Sequence, residues 1–452
     1  MRAEDREPGH LARQRLAIAA AVVICVPAIV LKITSPHLPH VTEAILFGLA
    51  IVGAAFVLSW AAEVAQLDIS AGLAIAVLAF IAVLPEYAVD FVFAQKGGHA
   101  FAEFGRTCKA VGSPDEAPCS LALANMTGAN RLLIGVGWSM VVFIAWYRWR
   151  RRRAAGATGE HAQAFTGITL ERSHSVEIAY LAIATAYSLT LPFKRSITMW
   201  DALVLVAIFV AYTIRISRAP AEEPHLVGPA AWIGTFAPRR RRVTVVALFV
   251  TAAGVILLAA EPFAESLVAT GRTLGISEFL LVQWLAPLAS EAPELLVAGL
   301  YAWRLNTNAG LGTLVSSKVN QWTLLVGTLP IAFAIASSST HGLPIIAQQR
   351  EELLLTASQS VLALAILANR SVTVREAWML FSLFWAQFII GGVVPQSAHG
   401  TERVIVSVAY LALAAVIFVK DRKPLLRLLR EGLFVPYAEL VGESTQETEP
   451  AT

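Results

Sequence analysis

Two Pro-Glu pairs lie inside long apolar stretches of the sequence, Pro85-Glu86 in the first half and Pro293-Glu294 in the second. A charged side chain at the centre of a bilayer costs about 2.5 to 3.5 kcal/mol on insertion scales. A proline inside a helix leaves the carbonyl four residues earlier without its hydrogen bond. Hard cations bind carboxylate and carbonyl oxygens, and the combination occurs twice, so the sequence predicts a duplicated ion site.

Two further carboxylates lie near these pairs at helical spacing. Asp90 follows Glu86 by four residues and Glu291 precedes Glu294 by three, so each couple shares one face of a helix. Two carboxylates held close together resist ionising at the same time. We therefore expect the cluster to exchange protons as well as to bind a cation.

A second helix, rich in small and polar residues, follows each Pro-Glu helix. It carries Asn125, Asn130 and Arg131 in the first half, and Lys318 and Asn320 in the second. The amides are neutral oxygen ligands or interhelical hydrogen-bond partners. A buried cation needs a partner, and the carboxylates of the preceding helices are the nearest candidates for Arg131 and Lys318.

The composition is that of a polytopic membrane protein. Hydrophobic residues make up 56% of the 452 and charged residues only 15%, against about 25% charged in soluble domains. About twelve apolar segments are long enough to span a bilayer. They lie near residues 16–33, 43–62, 70–92, 119–147, 174–192, 199–217, 243–261, 276–302, 309–336, 352–369, 375–392 and 403–419.

Clusters of basic residues set the expected orientation. If both termini are cytoplasmic, all four clusters also lie in the cytoplasm, as the positive-inside rule requires. The clusters are Arg13 with Arg15, Arg148 to Arg153, Arg239 to Arg242, and Lys420 to Arg430. The expected location is a bacterial-type inner membrane or a plasma membrane. Cys108 and Cys119 flank an outer loop in this topology, where either free thiols or a disulfide is possible.

The two halves of the sequence repeat each other. Residues 61–63 and 259–261 both read Ala-Ala-Glu, which makes Glu63 and Glu261 secondary site candidates, and residues 195–202 resemble residues 370–377. The assigned topology gives the halves opposite directions, as in transporters built from inverted repeats. We expect an all-α polytopic fold with two inverted five-helix repeats and peripheral helices at both ends. The predicted parts are a tail and helix at 1–42, a first repeat at 43–217, a cytoplasmic linker at 218–242, a second repeat at 243–392, and a C-terminal helix and basic tail at 393–452.

These motifs resemble the membrane repeats of the cation/calcium exchanger superfamily, which includes the sodium/calcium exchangers. In that family each repeat carries Gly-Thr-Ser-x-Pro-Glu on one helix and an Asn-bearing motif on the next, and the two glutamates bind the cation. Glu86 and Glu294 match those glutamates, and Ser290 takes the threonine position of the second repeat. The resemblance also implies that three asparagines match family positions: Asn125, Asn130 and Asn320.

The sequence departs from the family pattern at several ligand positions. Ala82 and Val83 replace Thr-Ser in the first repeat, Glu291 replaces the serine of the second, and Lys318 replaces a glycine. These changes remove neutral sodium ligands and add fixed charges. A lysine can stand in for a bound sodium ion or exchange a proton itself, so sodium/calcium exchange is not the expected activity.

The leading hypothesis is a secondary antiporter that exchanges calcium or sodium for protons around Glu86 and Glu294, which would face each other near the midplane. One alternative is a proton-coupled transporter of an anionic or zwitterionic solute that pairs with Arg131 and Lys318. Another is a membrane sensor or scaffold without transport. We find no enzyme signature and expect no cofactor, so the expected partners are inorganic cations, protons and lipid rather than nucleic acid. Ion identity, stoichiometry and oligomeric state stay open.

Overall fold

The computed structural model describes residues 8–34, 38–68, 84–110, 117–155, 164–219, 226, 228–395 and 398–440. Ala82 and Val83, and the first part of the predicted span at 70–92, lie outside the described residues. The described chain is mostly helical, as predicted. Two antiparallel strand pairs were not expected: β1 (Gly167–Thr169) pairs with β4 (Ser371–Thr373), and β2 (Ser196–Ile197) pairs with β3 (Leu343–Pro344).

Sixteen helices are numbered here in chain order within the described residues. They are α1 (Pro8–Thr34), α2 (His40–Ala65), α3 (Leu84–Phe104), α4 (Pro118–Leu132), α5 (Ser139–Ala154), α6 (Ser175–Ser188), α7 (Met199–Ile216), α8 (Pro229–Gly234), α9 (Pro238–Leu274), α10 (Glu278–Trp303), α11 (Thr307–Asn320), α12 (Val326–Ser337), α13 (Ala347–Leu367), α14 (Val374–Val393), α15 (His399–Lys420) and α16 (Arg422–Phe434).

Eight stretches of the described helices are long and apolar enough to cross a membrane. They include α1, α2, α7, α9 and α15, the stretch around α6, and the two continuous stretches Pro118–Ala154 and Thr307–Ser337. The helices α3, α10, α13 and α14 are not among these eight stretches. The membrane character is therefore confirmed, whereas the count of about twelve spans and the inverted layout stay predictions.

The chain divides into two compact units, and neither coincides with a predicted repeat. Unit 1 contains residues 1–125 and 217–293, and unit 2 contains residues 126–216 and 294–452. Each unit thus combines parts of both sequence halves. Two of the three boundaries fall inside α4 and α10, the helices that carry Asn125 and Pro293, and the third falls at the end of α7.

Unit 1 is organised around α2, which packs against α9 and α1. Phe47 and Ile51 of α2 and Phe263 of α9 are buried in this core. Gly53 allows the closest approach of α1, because a Cβ at this position would lie 2.5 Å from the carbonyl oxygen of Ala21. Most of the apolar stretch of α2 is buried in this core, whereas most of the apolar stretches of α1 and α9 are not.

The last residues of the segment 218–242 belong to a helix. Pro238 begins α9, a position where proline loses no helical hydrogen bond, and the helix continues to Leu274. Glu261 therefore lies in the interior of a 37-residue helix rather than near a helix end. Within the segment, α8 forms one further short helix whose Ile233 packs with Val64.

Unit 2 is organised around α13, whose buried residues pack against α15 and α6. This helix buries polar side chains as well as leucines: Glu352, Thr356, Ser358, Gln359 and Ser360 are all at most 2% exposed. Buried polar side chains need partners, so α13 is the part of unit 2 where a polar network is expected.

The repeated segments at 195–202 and 370–377 begin their helices in the same way. At α14, the Thr373 hydroxyl accepts from the Glu376 amide and the Glu376 carboxylate accepts from the Thr373 amide. At α7, Thr198 and Asp201 make the equivalent pair of bonds. This reciprocal capping explains why Thr-x-x-Glu and Thr-x-x-Asp start a helix at both places.

Wide π-helical turns interrupt two of the apolar stretches. Leu133–Trp138 joins α4 to α5, and Gln321–Leu325 joins α11 to α12. Both follow directly after the Asn-bearing helices of the two sequence halves. Such turns are rare and are frequent at functional sites, so their position marks these helices as functional candidates.

Candidate functional site

In unit 1, α3 buries two of the predicted carboxylates. Glu86 is 4% and Asp90 is 2% exposed, and both lie on the buried side of the helix. The Asn125 side-chain amide donates to Asp90 Oδ1 over 2.7 Å. The other oxygen, Asp90 Oδ2, is buried and has no hydrogen-bond partner within the described part of the chain. Asn125 therefore makes an interhelical hydrogen bond to Asp90, which is one of the two roles that its residue type allows.

The unit 1 part of α10 supplies the next candidates, Ser290 and Glu291, which are 2% and 3% exposed. The Ser290 hydroxyl donates to the carbonyl oxygens of Ala286 and Pro287, at 3.1 and 3.3 Å. The helix contains a second proline, Pro287, besides the predicted Pro293. Two prolines six positions apart free more than one carbonyl, so this stretch offers more backbone acceptors than Pro293 alone would provide.

In unit 2, Glu294 and Asn130 are the predicted oxygen donors. Glu294 is half-buried, and its Oε2 is buried with no hydrogen-bond partner in the described residues. Asn130 is fully buried, and its amide donates to the carbonyl oxygen of Met126. The side-chain oxygen of Asn130 is therefore free to accept from another group.

That group is the ammonium of Lys318. Lys318 is fully buried, and its Nζ donates to both the backbone oxygen and Oδ1 of Asn130, each at 2.6 Å. The same Nζ lies 5.4 Å from the centroid of the Trp322 ring, within the range of a cation–π contact. A positive charge of the protein itself thus binds the oxygen atoms of Asn130, a residue predicted to bind the transported cation.

Arg131 pairs with Glu352, a carboxylate that is not among the predicted site residues. Its guanidinium donates to Glu352 Oε2 at 2.9 Å and to Gln387 Oε1, and its backbone oxygen accepts from Gln359. Arg403 donates to the other oxygen of Glu352 at 2.7 Å. Arg131 and Glu352 are 2% and 3% exposed, so this is a buried ion pair. The expectation that carboxylates on the preceding helices would be the partners of Arg131 needs this correction.

The sequence contained one signal for Glu352. It lies at the start of a predicted span, and Thr356, Gln359 and Ser360 follow at four, seven and eight residues, on one helical face. A polar stripe in an apolar helix indicates a buried partner. Without the fold, nothing in the stripe identifies Arg131 as that partner.

The remaining candidates differ in burial. Asn320 is 3% exposed and lies next to the fully buried Gln321 in the wide turn after α11. Glu63 is half-buried in the last turn of α2, and Glu261 is exposed. An exposed side chain lies outside the packed interior in which neighbouring helices can supply oxygen ligands, so Glu261 is the weakest of the predicted site residues.

The site residues therefore form two sets, one in each unit. Unit 1 holds Glu86, Asp90, Asn125, Ser290 and Glu291, and unit 2 holds Glu294, Asn130, Arg131, Lys318 and Asn320. No group of three or more His, Cys, Asp or Glu side chains arranged to hold a metal ion occurs in the described residues. An ion bound by either set would need amide and carbonyl oxygens besides its carboxylates, which is ordinary for hard cations.

Comparison with known proteins gives one family and several similar structures. A model of the sodium/calcium exchanger protein family matches residues 41–217 and 244–391. The crystal structure of the H+/Ca2+ exchanger CAX is 38% identical over 95% of this chain and 99% of that chain, with a TM-score of 0.82. The Ca2+/H+ antiporter protein YfkE is 14% identical over 88% of this chain and 99% of that chain, with a TM-score of 0.54, which supports the fold alone. Curated protein sequences give no match.

The family match covers well over half of the chain, and it includes both Pro-Glu helices and both Asn-bearing helices. The buried carboxylates and the apolar helices agree with it. The chain therefore belongs to the sodium/calcium exchanger protein family and is an integral membrane protein of the cation-exchanger class.

Proposed function

We propose that this protein exchanges Ca2+ for H+ across the membrane, with Glu86 and Glu294 as the paired carboxylates that bind the cation. The observation that carries the proposal is the 38% identity to an H+/Ca2+ exchanger over nearly the whole chain. The burial of Glu86 and Asp90, and the buried free oxygen of Glu294, agree with it. Alternating access of the inverted repeats would expose the carboxylates to one side at a time.

Competition for the same oxygens would couple the two ions. Ca2+ is held by ionised carboxylates together with amide and carbonyl oxygens. Protonation removes the charge of a carboxylate and with it most of its attraction for a divalent ion. Asp90 and Glu291 lie next to the paired glutamates in the sequence and are the proposed additional proton carriers.

Lys318 supports protons rather than sodium as the counter-ion. Its ammonium is bound by two oxygens of Asn130, as a monovalent cation would be. We propose that this fixed charge replaces one bound sodium ion. Lys318→Ala is then expected to make Ca2+ transport sensitive to Na+, whereas Lys96→Ala, which removes a partly exposed lysine, is not. Sodium-independent transport by Lys318→Ala would contradict the replacement.

The main test is Ca2+ flux into proteoliposomes driven by a pH gradient. Glu86→Gln and Glu294→Gln keep the size of the side chain and remove its charge, so we expect either change to abolish pH-driven uptake. Glu265→Gln is the matched control, because Glu265 is a 58% exposed glutamate on α9 that pairs with Lys96. Full uptake by the Glu86→Gln/Glu294→Gln double variant would refute the proposal.

The same assay separates the alternatives. Transport of an anionic or zwitterionic solute would need an available cation, but the charge of Arg131 is bound to Glu352 and that of Lys318 to Asn130. A sensor or scaffold would show no flux of any ion. If a pH gradient moves Ca2+ only when Glu86 and Glu294 are unchanged, the result favours cation exchange over both alternatives.

We also propose that both termini are cytoplasmic. The four basic clusters support this orientation. The Cys108–Cys119 disulfide supports it independently, because disulfides persist outside the reducing cytoplasm. The orientation can be tested in intact cells with a single cysteine introduced in the 105–110 segment and a reagent that cannot cross the membrane. Labelling is expected, and protection of the cysteine from the reagent would show the opposite orientation.

A further inference from the structure

A pocket with strong positive charge lies in unit 2, between the end of α13 and the helix α16. Its volume is about 260 Å³, and its charged lining consists of Arg370, Lys423, Arg427 and Glu431. None of these residues belongs to the candidate ion site. The pocket therefore needs its own explanation.

The one carboxylate of the lining is already neutralised. Glu431 Oε1 accepts from Arg172 at 2.9 Å, and its Oε2 accepts from Arg370 at 2.7 Å. Arg172, Arg370, Lys423 and Arg427 are four cations against one carboxylate, which leaves a surplus of three positive charges. Such a surplus of positive charge attracts a further anion. Glu431 cannot serve as that anion, because its carboxylate is already paired with Arg172 and Arg370.

One arginine of the lining, Arg370, is held in place by hydrogen bonds. Arg370 has a positive φ of 58°, in the left-handed region, and its guanidinium donates to Ser175 Oγ at 3.3 Å as well as to Glu431. Its amide donates to the carbonyl oxygen of Leu367 at 2.8 Å. A guanidinium fixed in this way loses little conformational freedom when a ligand arrives.

The other two cations of the lining, Lys423 and Arg427, are exposed side chains of α16. Neither makes an ion pair with any described residue. Arg422 and Arg430 lie on the same helix, are also exposed, and do not line the pocket. The helix thus carries two cations that belong to the pocket and two that do not.

The position of α16 places the pocket at the membrane surface. The helix begins two residues after Lys420, where the last candidate span ends. Leu428 and Gly432 are buried against the protein, whereas Leu426 is 66% and Phe434 is 78% exposed. Arg215 donates to the carbonyl oxygens of Gly432 and Val435 and fixes the far end of the helix. A helix with a basic face and exposed apolar side chains next to a span is typical of the membrane interface.

We propose that this pocket binds a phosphate group, and that the headgroup of an anionic lipid is its source. Arginine recognises phosphate oxygens through paired N–H donors, and lysine adds a mobile point charge. Juxtamembrane clusters of Lys and Arg attract anionic lipid in the same way. The exposed Leu426 and Phe434 would contact the acyl region while Arg370, Lys423 and Arg427 surround the phosphate.

Binding to the purified full-length protein in neutral detergent tests the proposal. The probes are dioctanoyl phosphatidic acid, dioctanoyl phosphatidylcholine and inorganic phosphate, and native mass spectrometry counts and ranks the bound molecules. We expect Lys423→Gln/Arg427→Gln to weaken binding of phosphatidic acid by about tenfold or more. Arg422→Gln/Arg430→Gln removes the same charge outside the pocket and is expected to change binding by less than about threefold.

The possible outcomes are distinct. Equal losses in the two double variants would show diffuse attraction and overturn the pocket, and so would failure of both phosphate probes to bind. Inorganic phosphate that binds as tightly as phosphatidic acid, with loss only in Lys423→Gln/Arg427→Gln, would confirm a phosphate site that serves a soluble ligand. Equal binding of phosphatidylcholine would overturn recognition of an anionic group. All four substituted side chains are exposed, so both variants are expected to fold.

Discussion

Replacing Glu352 with glutamine removes the charge that two buried arginines share. Glu352 binds Arg131 through one oxygen, at 2.9 Å, and Arg403 through the other, at 2.7 Å. Loss of one partner of a buried ion pair costs about 3 to 5 kcal/mol, because the remaining charge is left without compensation. We therefore expect Glu352→Gln to lower the free energy of unfolding by about this amount.

The geometry also predicts how three variants rank in their loss of stability. Arg131→Met leaves Glu352 paired with Arg403, so we expect a smaller loss, about 1.5 to 3 kcal/mol for a hydrogen bond to a charged group. Glu351 is the matched control, since it precedes Glu352, is 28% exposed and accepts from Arg403 at 3.2 Å. Glu351→Gln is expected to cost at most about 1 kcal/mol, as partly exposed pairs do.

Reversible unfolding of the purified protein in mixed micelles measures all three values. Titration with a denaturing detergent, followed by the fluorescence of the buried tryptophans, gives the free energy for each variant on one scale. A Glu352→Gln variant within about 1 kcal/mol of the unchanged protein would refute the argument from burial. A loss in Glu351→Gln as large as that in Glu352→Gln would refute the assignment of the pair to Glu352.

Three further predictions concern other parts of the fold. Cys108→Ser removes a disulfide that joins residues 11 positions apart, and we expect it to lower the free energy of unfolding by about 2 to 3 kcal/mol. Thermal unfolding without reductant measures this loss, and an unchanged midpoint would contradict a formed disulfide. The hydrogen bond from Arg241 lowers the pKa of Asp68 from 3.8 to about 2, so its stabilising contribution is complete above about pH 4 and is lost as the pH falls towards 2. The difference in unfolding temperature between the unchanged protein and Asp68→Asn should shrink across that window, and a constant difference would exclude this ion pair as its cause. A Cβ at Gly432 would lie 2.1 Å from a backbone oxygen of α6, so we expect Gly432→Ala to lower the free energy of unfolding by about 1 to 3 kcal/mol. The control is Gly254→Ala, where the added Cβ has open space around it and the expected loss is much smaller. Equal losses in the two variants would contradict the close packing of α16.

The sequence predicted the class of the fold because bilayer physics leaves few choices. Long apolar segments must form helices, so the membrane character of the chain could be read directly from hydropathy. The helix starts at Thr198 and Thr373 were also readable in principle, since each is followed by an acidic residue three positions on. The short strands were not readable, because two or three residues carry no periodicity.

The candidate site was only partly predictable for a different reason. Glu86, Asp90 and Asn125 were identified because charged and amide side chains are costly in an apolar segment and stand out there. The bond from Lys318 to Asn130 and the pair of Arg131 with Glu352 join residues 188 and 221 positions apart. Helical spacing indicates neighbours only within one helix, so contacts of this kind follow from tertiary packing and not from a local pattern.

The wide turns at Leu133–Trp138 and Gln321–Leu325 affect how each span meets its neighbours. Each turn contains one more residue than an α-helical turn, so every later side chain is rotated by about 100° from where an uninterrupted helix would place it. A helical wheel drawn through the whole of Pro118–Ala154 therefore assigns the wrong direction to everything beyond Trp138. Because of this rotation, one continuous span can direct its amides and charges into the protein before the turn. After the turn, it buries a different face of the helix, which carries aliphatic side chains.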